Sequence, residues 1–218
     1  LAQGATFPLR ARIIVPPYLW DEEHDSTSLH NVQTALEQAG IPFDSVQPTD
    51  PDRIADWSEA FYELDKYALI IVPGYLIPSS IKSDVYIRQR QRLREYVAAG
   101  GVVIWFKPLS AEQGPADNWL YNQQEVARLA GIVGHKTYTS ATRVVVEATA
   151  PGMAELDSFE ERSVRLSGGS TVVAVETITY KLDPDADVAV FGVAMQGDKT
   201  HGPTLLRNRI GSGAVYSL

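Results

Sequence analysis

Short apolar runs alternate with stretches of helical periodicity between Ala11 and Gly134, and this pattern most constrains the fold. Three runs, ARIIVPPYLW (11–20), YALIIVPGYLI (67–77) and VVIWF (102–106), are rich in β-branched residues and are bounded by proline or glycine. Runs of this kind are typical of buried strands. The stretches between them repeat apolar residues every three or four positions, which predicts amphipathic helices. Alternating strands and helices indicate a mostly parallel sheet with helices on both faces.

The helical stretches have recognisable ends. In the first, Leu29, Val32, Leu36 and Ala39 share one stripe and Gly40 follows as a C-terminal cap. We predict further helices over residues 83–101 and 123–134. A second series of apolar residues at helical spacing, which runs past residue 60, predicts one more helix. IPFDSVQP (41–48) is predicted to be a strand. The members of the second apolar series are Ile54, Trp57, Phe61 and Leu64.

The period changes after Thr142, where strand-like runs follow one another without helices. Turn signals such as SGGS, DPDAD and QGDKTHG separate these runs. We expect them to extend the sheet with antiparallel strands or to add a hairpin. No Pro/Gly/Ser-rich linker interrupts the chain, so residues 1–218 are predicted to form one domain. The runs are TRVVVEA, SVRLS, STVVAVETITYKL, DVAVFGVAM and AVYSL.

Composition excludes several classes of function. The chain has 218 residues and a formal net charge of -8, which argues against a nucleic-acid partner. It has no cysteine, so disulfides, thiolate metal sites and cysteine nucleophiles are excluded. No apolar run approaches the roughly 20 residues of a membrane helix, and the compartment stays open between cytosol and secretion. Because the chain starts at Leu1 and ends within a strand-like run, we expect a piece of a longer polypeptide.

Two strands end alike, as IIVPPY (13–18) and IIVPGY (70–75). Ligands of open α/β sheets bind beyond the carboxyl ends of strands, where the strand order reverses. We therefore expect the two Pro-x-Tyr ends to lie side by side at such a crevice. The alternative is that proline simply terminates each strand.

Four motifs carry a resemblance to a known family. They are YALIIVP (67–73), LREYV (93–97) followed by Gly100 and Gly101, LAGI (129–132), and GPTLLRNRIGSGAVY (202–216). In this order they resemble the class I glutamine amidotransferase-like fold, and most closely the trimerisation domain of family 42 β-galactosidases. The resemblance implies a flavodoxin-like, three-layer α/β/α architecture with a mostly parallel sheet, to which the C-terminal strands add a β-rich extension.

The turn after the fourth predicted strand lacks the family's usual nucleophile. Amidotransferases need an activated thiolate there, partnered by a histidine base. Here the turn is FKPLS (106–110), without a thiol. Ser110 lacks the small neighbours that a strained serine elbow needs, so we interpret it as a turn or helix cap. We predict no catalytic residue, and a glutaminase or cysteine peptidase is excluded.

An acidic loop follows the first strand and offers two interpretations. Carboxylates and a histidine could bind a metal, but their spacing is not diagnostic, so a solvated loop leading into the helix is favoured and no metal or cofactor is predicted. A glycosidase pair of opposed carboxylates cannot be inferred without a distance. The loop residues are Glu22, Glu23, His24 and Asp25.

Aromatic residues in the predicted edge loops suggest a sugar-binding surface. Aromatic faces pack on apolar faces of sugars, and nearby carboxylates accept hydrogen bonds from hydroxyls. For each aromatic residue taken singly, packing into the core is the favoured alternative. The predicted ligand-binding residues are Tyr18, Trp20, Glu22, Glu23, His24, Asp25, Tyr75 and Trp119.

Four arginines alternate along RQRQRLR (88–94) on a predicted helix. Arg88 and Arg92 share one face, while Arg90 and Arg94 share another, so the charge is divided. A solvated helix is the default interpretation. An arginine-rich subunit interface is the alternative.

Taken with the missing nucleophile, the resemblance implies a non-catalytic domain of a larger carbohydrate-active protein. Its expected role is oligomer assembly, or walling off a neighbouring subunit's active site. The expected partners are other domains of the same polypeptide and further copies of it, with a carbohydrate as a further ligand and without nucleic acid or membrane. The alternative is a stand-alone protein that binds or hydrolyses a small, sugar-like ligand at the carboxyl edge of the sheet.

Overall fold

The computed structural model describes residues 6–15, 27–46, 60–73, 83–106, 127–138, 143–146, 177–196 and 198–218. They form an α/β fold with a β-rich C-terminal part. The helices are α1 (Thr27–Gln38) and α2 (Ser83–Ala98), with 3-10 helices at Leu64–Lys66 and Arg128–Ala130. The strands are β1 (Ala11–Ile14), β2 (Phe43–Val46), β3 (Leu69–Val72), β4 (Val102–Trp105), β5 (Ile132–Tyr138), β6 (Arg143–Val146), β7 (Thr177–Leu182), β8 (Asp187–Gln196), β9 (Lys199–Ile210) and β10 (Gly213–Ser217).

One large mixed sheet dominates the described residues. Its eight strands lie in the order β2-β1-β3-β4-β10-β9-β8-β6. The first five are parallel to one another, and the pairs from β10 to β6 are antiparallel. A second sheet pairs β5 with β7 in antiparallel fashion. The last strand of the chain, β10, therefore joins the parallel half to the antiparallel half.

Alternating side chains of the parallel strands pack into two separate apolar clusters, one on each face of the sheet. Along β1, Ile13 packs with Val32 and Leu36 of α1, whereas Ile14 belongs to the cluster that contains Leu93 and Val97 of α2. Since neighbouring residues of a strand point to opposite faces, α1 and α2 cover opposite faces of the sheet. Both faces of the parallel half are thus buried, as the continuous apolar runs predict.

The predicted strand–helix alternation is confirmed where it falls on described residues. Helix α1 ends before Gly40, whose φ of 67° provides the predicted C-terminal cap. Helix α2 covers most of the predicted stretch 83–101. The expected antiparallel extension of the sheet is confirmed by β9, β8 and β6.

Two helix predictions need correction. In the stretch 123–134, only Arg128–Ala130 form a 3-10 helix within the described part. Gly131 then takes a left-handed φ of 73° and β5 begins at Ile132, because the glycine ends the turn and β-branched residues follow. In the earlier stretch the helix ends at Ala60, and Leu64 lies in a separate 3-10 helix after left-handed Glu63.

Strand β9 was missed in the sequence. Its first residues, from Lys199, read as part of a turn, and the arginines beside Asn208 interrupt its apolar alternation. Its pairing with both β8 and β10 supplies the context that favours an extended conformation there. None of the helices among the described residues is long and apolar enough to cross a membrane.

Candidate functional site

The carboxyl edge of the parallel strands is the expected location of a ligand site. Strands β1 and β3 lie side by side, with Ile13 opposite Ile71, while the adjacency of the two Pro-x-Tyr ends beyond them stays a prediction. The strand order reverses between them, since β2 follows β1 in the chain but lies on its other side. The order of β1 and β3 is therefore the one at which open α/β sheets bind ligands.

The residues predicted to bind a ligand at this edge lie outside the described residues. The structure therefore leaves their grouping at the edge as a prediction. Ser110 and residues 107–109 of its turn also lie outside the described residues. These ligand-binding residues are Tyr18, Trp20, Glu22, Glu23, His24, Asp25, Tyr75 and Trp119.

Backbone hydrogen bonds join the described strand ends at this edge. The amide of Phe106 donates to the carbonyl of Val72 over 2.9 Å, and the amide of Leu218 donates to the carbonyl of Trp105 over 3.0 Å. The pairing of β3, β4 and β10 therefore continues to the last described residues. Trp105 and Ser217 are buried at the ends of their strands.

A buried polar cluster lies between β1, β2 and the start of β3. Its members are Arg12, Asp44 and Tyr67, called here the Arg12 cluster. The Arg12 guanidinium donates to the Tyr67 hydroxyl oxygen over 2.5 Å, and that hydroxyl donates to Asp44 Oδ2 over 2.7 Å. Arg12 Nη2 also lies 3.5 Å from Asp44 Oδ2. One tyrosine hydroxyl thus joins a cation to a carboxylate.

Arg12 also holds the segment that precedes β3. Its Nη1 donates to the carbonyl of Tyr62 over 2.8 Å and to that of Ala60 over 3.4 Å. A cation beside the last carbonyls of a helix is favourable, because those carbonyls have no partner within the helix. The guanidinium lies 4.2 Å from the centre of the Tyr67 ring, and Arg10 reaches within 3.9 Å of Asp44.

Burial changes the pKa of two tyrosines in this region. Burial raises the pKa of the Tyr67 phenol above its ordinary value, and the hydrogen bond to Asp44 raises this pKa further. Burial raises the pKa of Tyr96 even more strongly; its hydroxyl donates to the carbonyl of Tyr67 over 3.1 Å. The contacts of Arg12, Asp44 and Tyr67 hold β1, β2 and the segment before β3 together.

A second set of motif residues brings backbone segments into close approach. Gly213 begins β10, and a Cβ atom there would lie 2.2 Å from the carbonyl oxygens of Val97 and Gly101. A Cβ on Gly211 would lie 2.5 Å from the carbonyl oxygen of Ala98. A Cβ on Gly101 would lie 2.2 Å from the Tyr96 ring, and Gly101, Gly211 and Gly213 are called here the glycine seam. Only residues without a side chain allow the β9–β10 turn to reach the end of α2.

The LAGI motif packs against the same hairpin. Asn208 Nδ2 donates to the carbonyl of Leu129 over 2.9 Å. A Cβ on Gly131 would lie 2.3 Å from a methyl group of Val188 and 3.2 Å from the Asn208 amide carbon. The motif residues that carry the sequence resemblance thus fill structural positions in the described part of the chain.

The arginines of α2 lie mainly on its outer surface. Arg88 and Arg94 are exposed, while Arg92 stacks over the ring of Tyr62 at 4.3 Å. Tyr62 itself is 48% exposed. This placement agrees with the default interpretation of a solvated helix, and the interface interpretation stays a prediction. Within the described ranges, no three His, Asp or Glu side chains lie together as metal ligands would.

Sequence reasoning missed the Arg12 cluster and the role of Asn208. A usable signal was present for Arg12, because a cation within the apolar run ARIIV must find partners when the strand is buried. Its partners Asp44 and Tyr67 are distant in the sequence, so periodicity alone does not identify them.

Comparison with known proteins shows the fold. No protein-family profile matches the chain, and no curated protein matches it. Among solved structures, a GH42 β-galactosidase from G. stearothermophilus matches with a TM-score of 0.54 and 15% identity, over 97% of this chain and 27% of that chain. A β-galactosidase from Rahnella sp. R3 matches with a TM-score of 0.52 and 15% identity, over 97% of this chain and 28% of that chain. A β-galactosidase from Bacillus circulans matches with a TM-score of 0.50 and 12% identity, over 96% of this chain and 28% of that chain. The chain spans less than a third of these enzymes.

Proposed function

We propose that this chain is a non-catalytic, amidotransferase-like accessory domain of a carbohydrate-active enzyme of the glycoside hydrolase type. One observation carries the proposal: nearly the whole chain matches a limited part of β-galactosidases from different bacteria. The rest of each of those chains has no counterpart here. A domain that forms one part of such an enzyme fits this pattern.

The strand order supports the finer description of the fold. The five parallel strands follow the pattern 2-1-3-4-5 when β10 takes the fifth place, which is the order of flavodoxin-like sheets. Helices α1 and α2 lie on opposite faces, which supports the proposed three-layer α/β/α arrangement for the parallel half.

The absence of catalysis is supported by composition. The related amidotransferases use a cysteine nucleophile, and this sequence contains no cysteine. Among the described residues, Arg12, Asp44 and Tyr67 bond to one another and Arg12 also bonds to backbone carbonyls, while Arg12 Nε and Asp44 Oδ1 have no partner. These contacts tie β1 and β2 to the segment before β3, which fits a structural role for the Arg12 cluster.

The proposed role is in assembly. The domain would contact further copies of the polypeptide, or close one side of a neighbouring subunit's active site. Its partners would then be other domains of the same polypeptide and a second copy of it, with a carbohydrate bound nearby. An enzyme that needs this contact loses its oligomeric state when the domain is removed.

The test uses the complete polypeptide that contains this sequence. Light scattering measures its oligomeric state with and without residues 1–218, and hydrolysis of aryl β-glycosides measures its activity. We expect the intact polypeptide to be an oligomer with glycosidase activity, and the shortened one to dissociate. As a control, the Glu37→Gln substitution alters an exposed side chain of α1, on the face of the sheet opposite to α2, and should change neither measurement.

A different result would overturn the proposal. If the complete polypeptide is a monomer without glycosidase activity, and the chain alone binds a sugar in a manner that Trp20→Ala abolishes, the chain is a stand-alone binding protein. Trp20 belongs to the loop predicted to contact a ligand, and the stand-alone alternative requires that Trp20→Ala loses sugar binding while it still folds.

A further inference from the structure

Two buried polar atoms share one face of the β9–β10 hairpin. Asn208 is 3% exposed and Ser217 is fully buried. Asn208 Oδ1 and Ser217 Oγ have no hydrogen-bond partner among the residues described. Buried polar groups in folded proteins are nearly always bonded, either to protein or to ordered water.

The strand register brings these two residues together. Asn208 lies opposite Val215 and Ser217 lies opposite Leu206 in the antiparallel pair. Asn208 and Ser217 are therefore diagonal neighbours, which places their Cα atoms about 7–8 Å apart. Both point to the face of the core that Leu206 and Val215 occupy, since side chains two residues apart share a face.

A neighbour on the same strand shows what a satisfied hydroxyl looks like there. Thr204 lies on the same face of β9, and its Oγ1 donates to the carbonyl of Ile178 over 2.8 Å. The other end of the Asn208 amide is also satisfied, because Nδ2 donates to the carbonyl of Leu129. On this face of the hairpin the unmet atoms are thus Asn208 Oδ1 and Ser217 Oγ, one on each strand.

We propose that one water molecule occupies this space and bridges Asn208 to Ser217. It donates one hydrogen to Asn208 Oδ1 and forms its second hydrogen bond with Ser217 Oγ. An amide oxygen requires a donor and a hydroxyl accepts or donates, so a neutral molecule with both capacities fits. Water is the ligand of this class that is small enough for a site closed to solvent at both residues.

The bridge would link the strand that joins the two halves of the sheet to the LAGI turn. Ser217 lies on β10, Asn208 lies on β9, and the Asn208 amide holds Leu129. Bound water would then stabilise the folded state, as internal waters with two or more protein partners do. This inference is independent of the proposed assembly role.

The decisive measurement is a crystal structure of the unaltered chain at a resolution that shows ordered water. We expect one water within about 3 Å of both Asn208 Oδ1 and Ser217 Oγ. Direct contact between the two side chains, or a third protein group bonded to either, would overturn the proposal.

A stability measurement in solution gives a second test. If the water is present, Ser217→Ala removes one of its partners and should lower Tm by about 2–4 °C. If the hydroxyl is truly unpaired, the same substitution removes a desolvated group and Tm rises, which would contradict the proposal. Thr204→Val is the matched control, because it removes a hydroxyl with a direct partner and should lower Tm in either case.

Discussion

The Arg12 cluster and the glycine seam hold neighbouring parts of the same sheet by opposite means. In the Arg12 cluster, a guanidinium, a phenol and a carboxylate bond to one another and to the backbone before β3. In the glycine seam, Gly213 holds its place because it has no side chain, which lets β10 approach the end of α2. One region depends on charged groups and the other on the absence of atoms.

The difference teaches how to read the motifs. Tyr67 belongs to the Arg12 cluster, and Gly101, Gly211 and Gly213 form the seam; all four belong to motifs that resemble the amidotransferase-like family. Each has a packing or hydrogen-bonding reason for its identity. A sequence resemblance that rests on such residues indicates a fold and says little about chemistry.

The largest expected effect is at the glycine seam. Gly213→Ala places a Cβ against two backbone carbonyl oxygens, which cannot move without displacing α2 or β4. We expect a loss of about 3 kcal/mol or more in the free energy of unfolding, measured by urea denaturation. Gly40→Ala is the control: its Cβ would meet no atom within 4 Å, so only the left-handed backbone strain of about 1–2 kcal/mol remains. Equal losses at both sites would contradict the steric explanation.

The next effect is at the centre of the Arg12 cluster. Arg12→Leu removes the donor to two carbonyls and leaves the Asp44 carboxylate beside an apolar side chain. We expect a loss of about 2–3 kcal/mol, below the usual cost of breaking a fully buried pair, because the Asp44 side chain is 33% exposed. Arg94→Leu, at an exposed position on α2, should leave the urea midpoint nearly unchanged. If Arg12→Leu leaves the urea midpoint unchanged, the cluster contributes no net stability.

A smaller effect is expected when only the bridging hydroxyl is lost. Tyr67→Phe keeps the ring that packs in the core but removes the group between Arg12 and Asp44. The expected loss is about 1.5–2 kcal/mol, at the lower end of the range for hydrogen bonds to charged groups, because Asp44 is partly exposed. Thermal melts of Tyr67→Phe and Arg12→Leu, recorded side by side, measure the ratio of their losses in stability. A larger loss for Tyr67→Phe than for Arg12→Leu would place the ring or hydroxyl, rather than the guanidinium, at the centre of the cluster.

The smallest expected effect is a loss of folding stability at alkaline pH. The pKa values of Tyr67 and Tyr96 are raised on folding by burial. A group with a raised folded pKa stabilises fully below its unfolded pKa, which is about 10 for tyrosine, and this stability is lost as pH rises toward the folded value. The urea midpoint should therefore fall above pH 10. Tyr67→Phe should show a shallower fall, and an identical fall in both proteins would contradict the assignment.

The sequence predicted most of the parallel half because its elements are locally consistent. The strands near Ile13 and Ile71, and the helix that ends before Gly40, combine apolar periodicity with a clear stop signal. Strand β9 was missed because arginines interrupt its pattern and its pairing partners decide its conformation.

The candidate site could be predicted less completely, for a physical reason. A crevice between β1 and β3 follows from the order of elements, and the structure has these strands adjacent. Contacts such as Arg12 with Tyr67 join residues far apart in the chain, and local patterns carry no record of them. The binding role of loop residues such as Trp20 stays a prediction.

The intact mass of the native polypeptide tests the central claim most directly. This chain alone has a mass of 23.9 kDa. As an accessory domain, it should be found in a polypeptide several times heavier, as the 27–28% coverage of the matching β-galactosidases suggests. A native mass close to 23.9 kDa would contradict the accessory-domain proposal and direct attention to ligand binding at the carboxyl edge of the sheet.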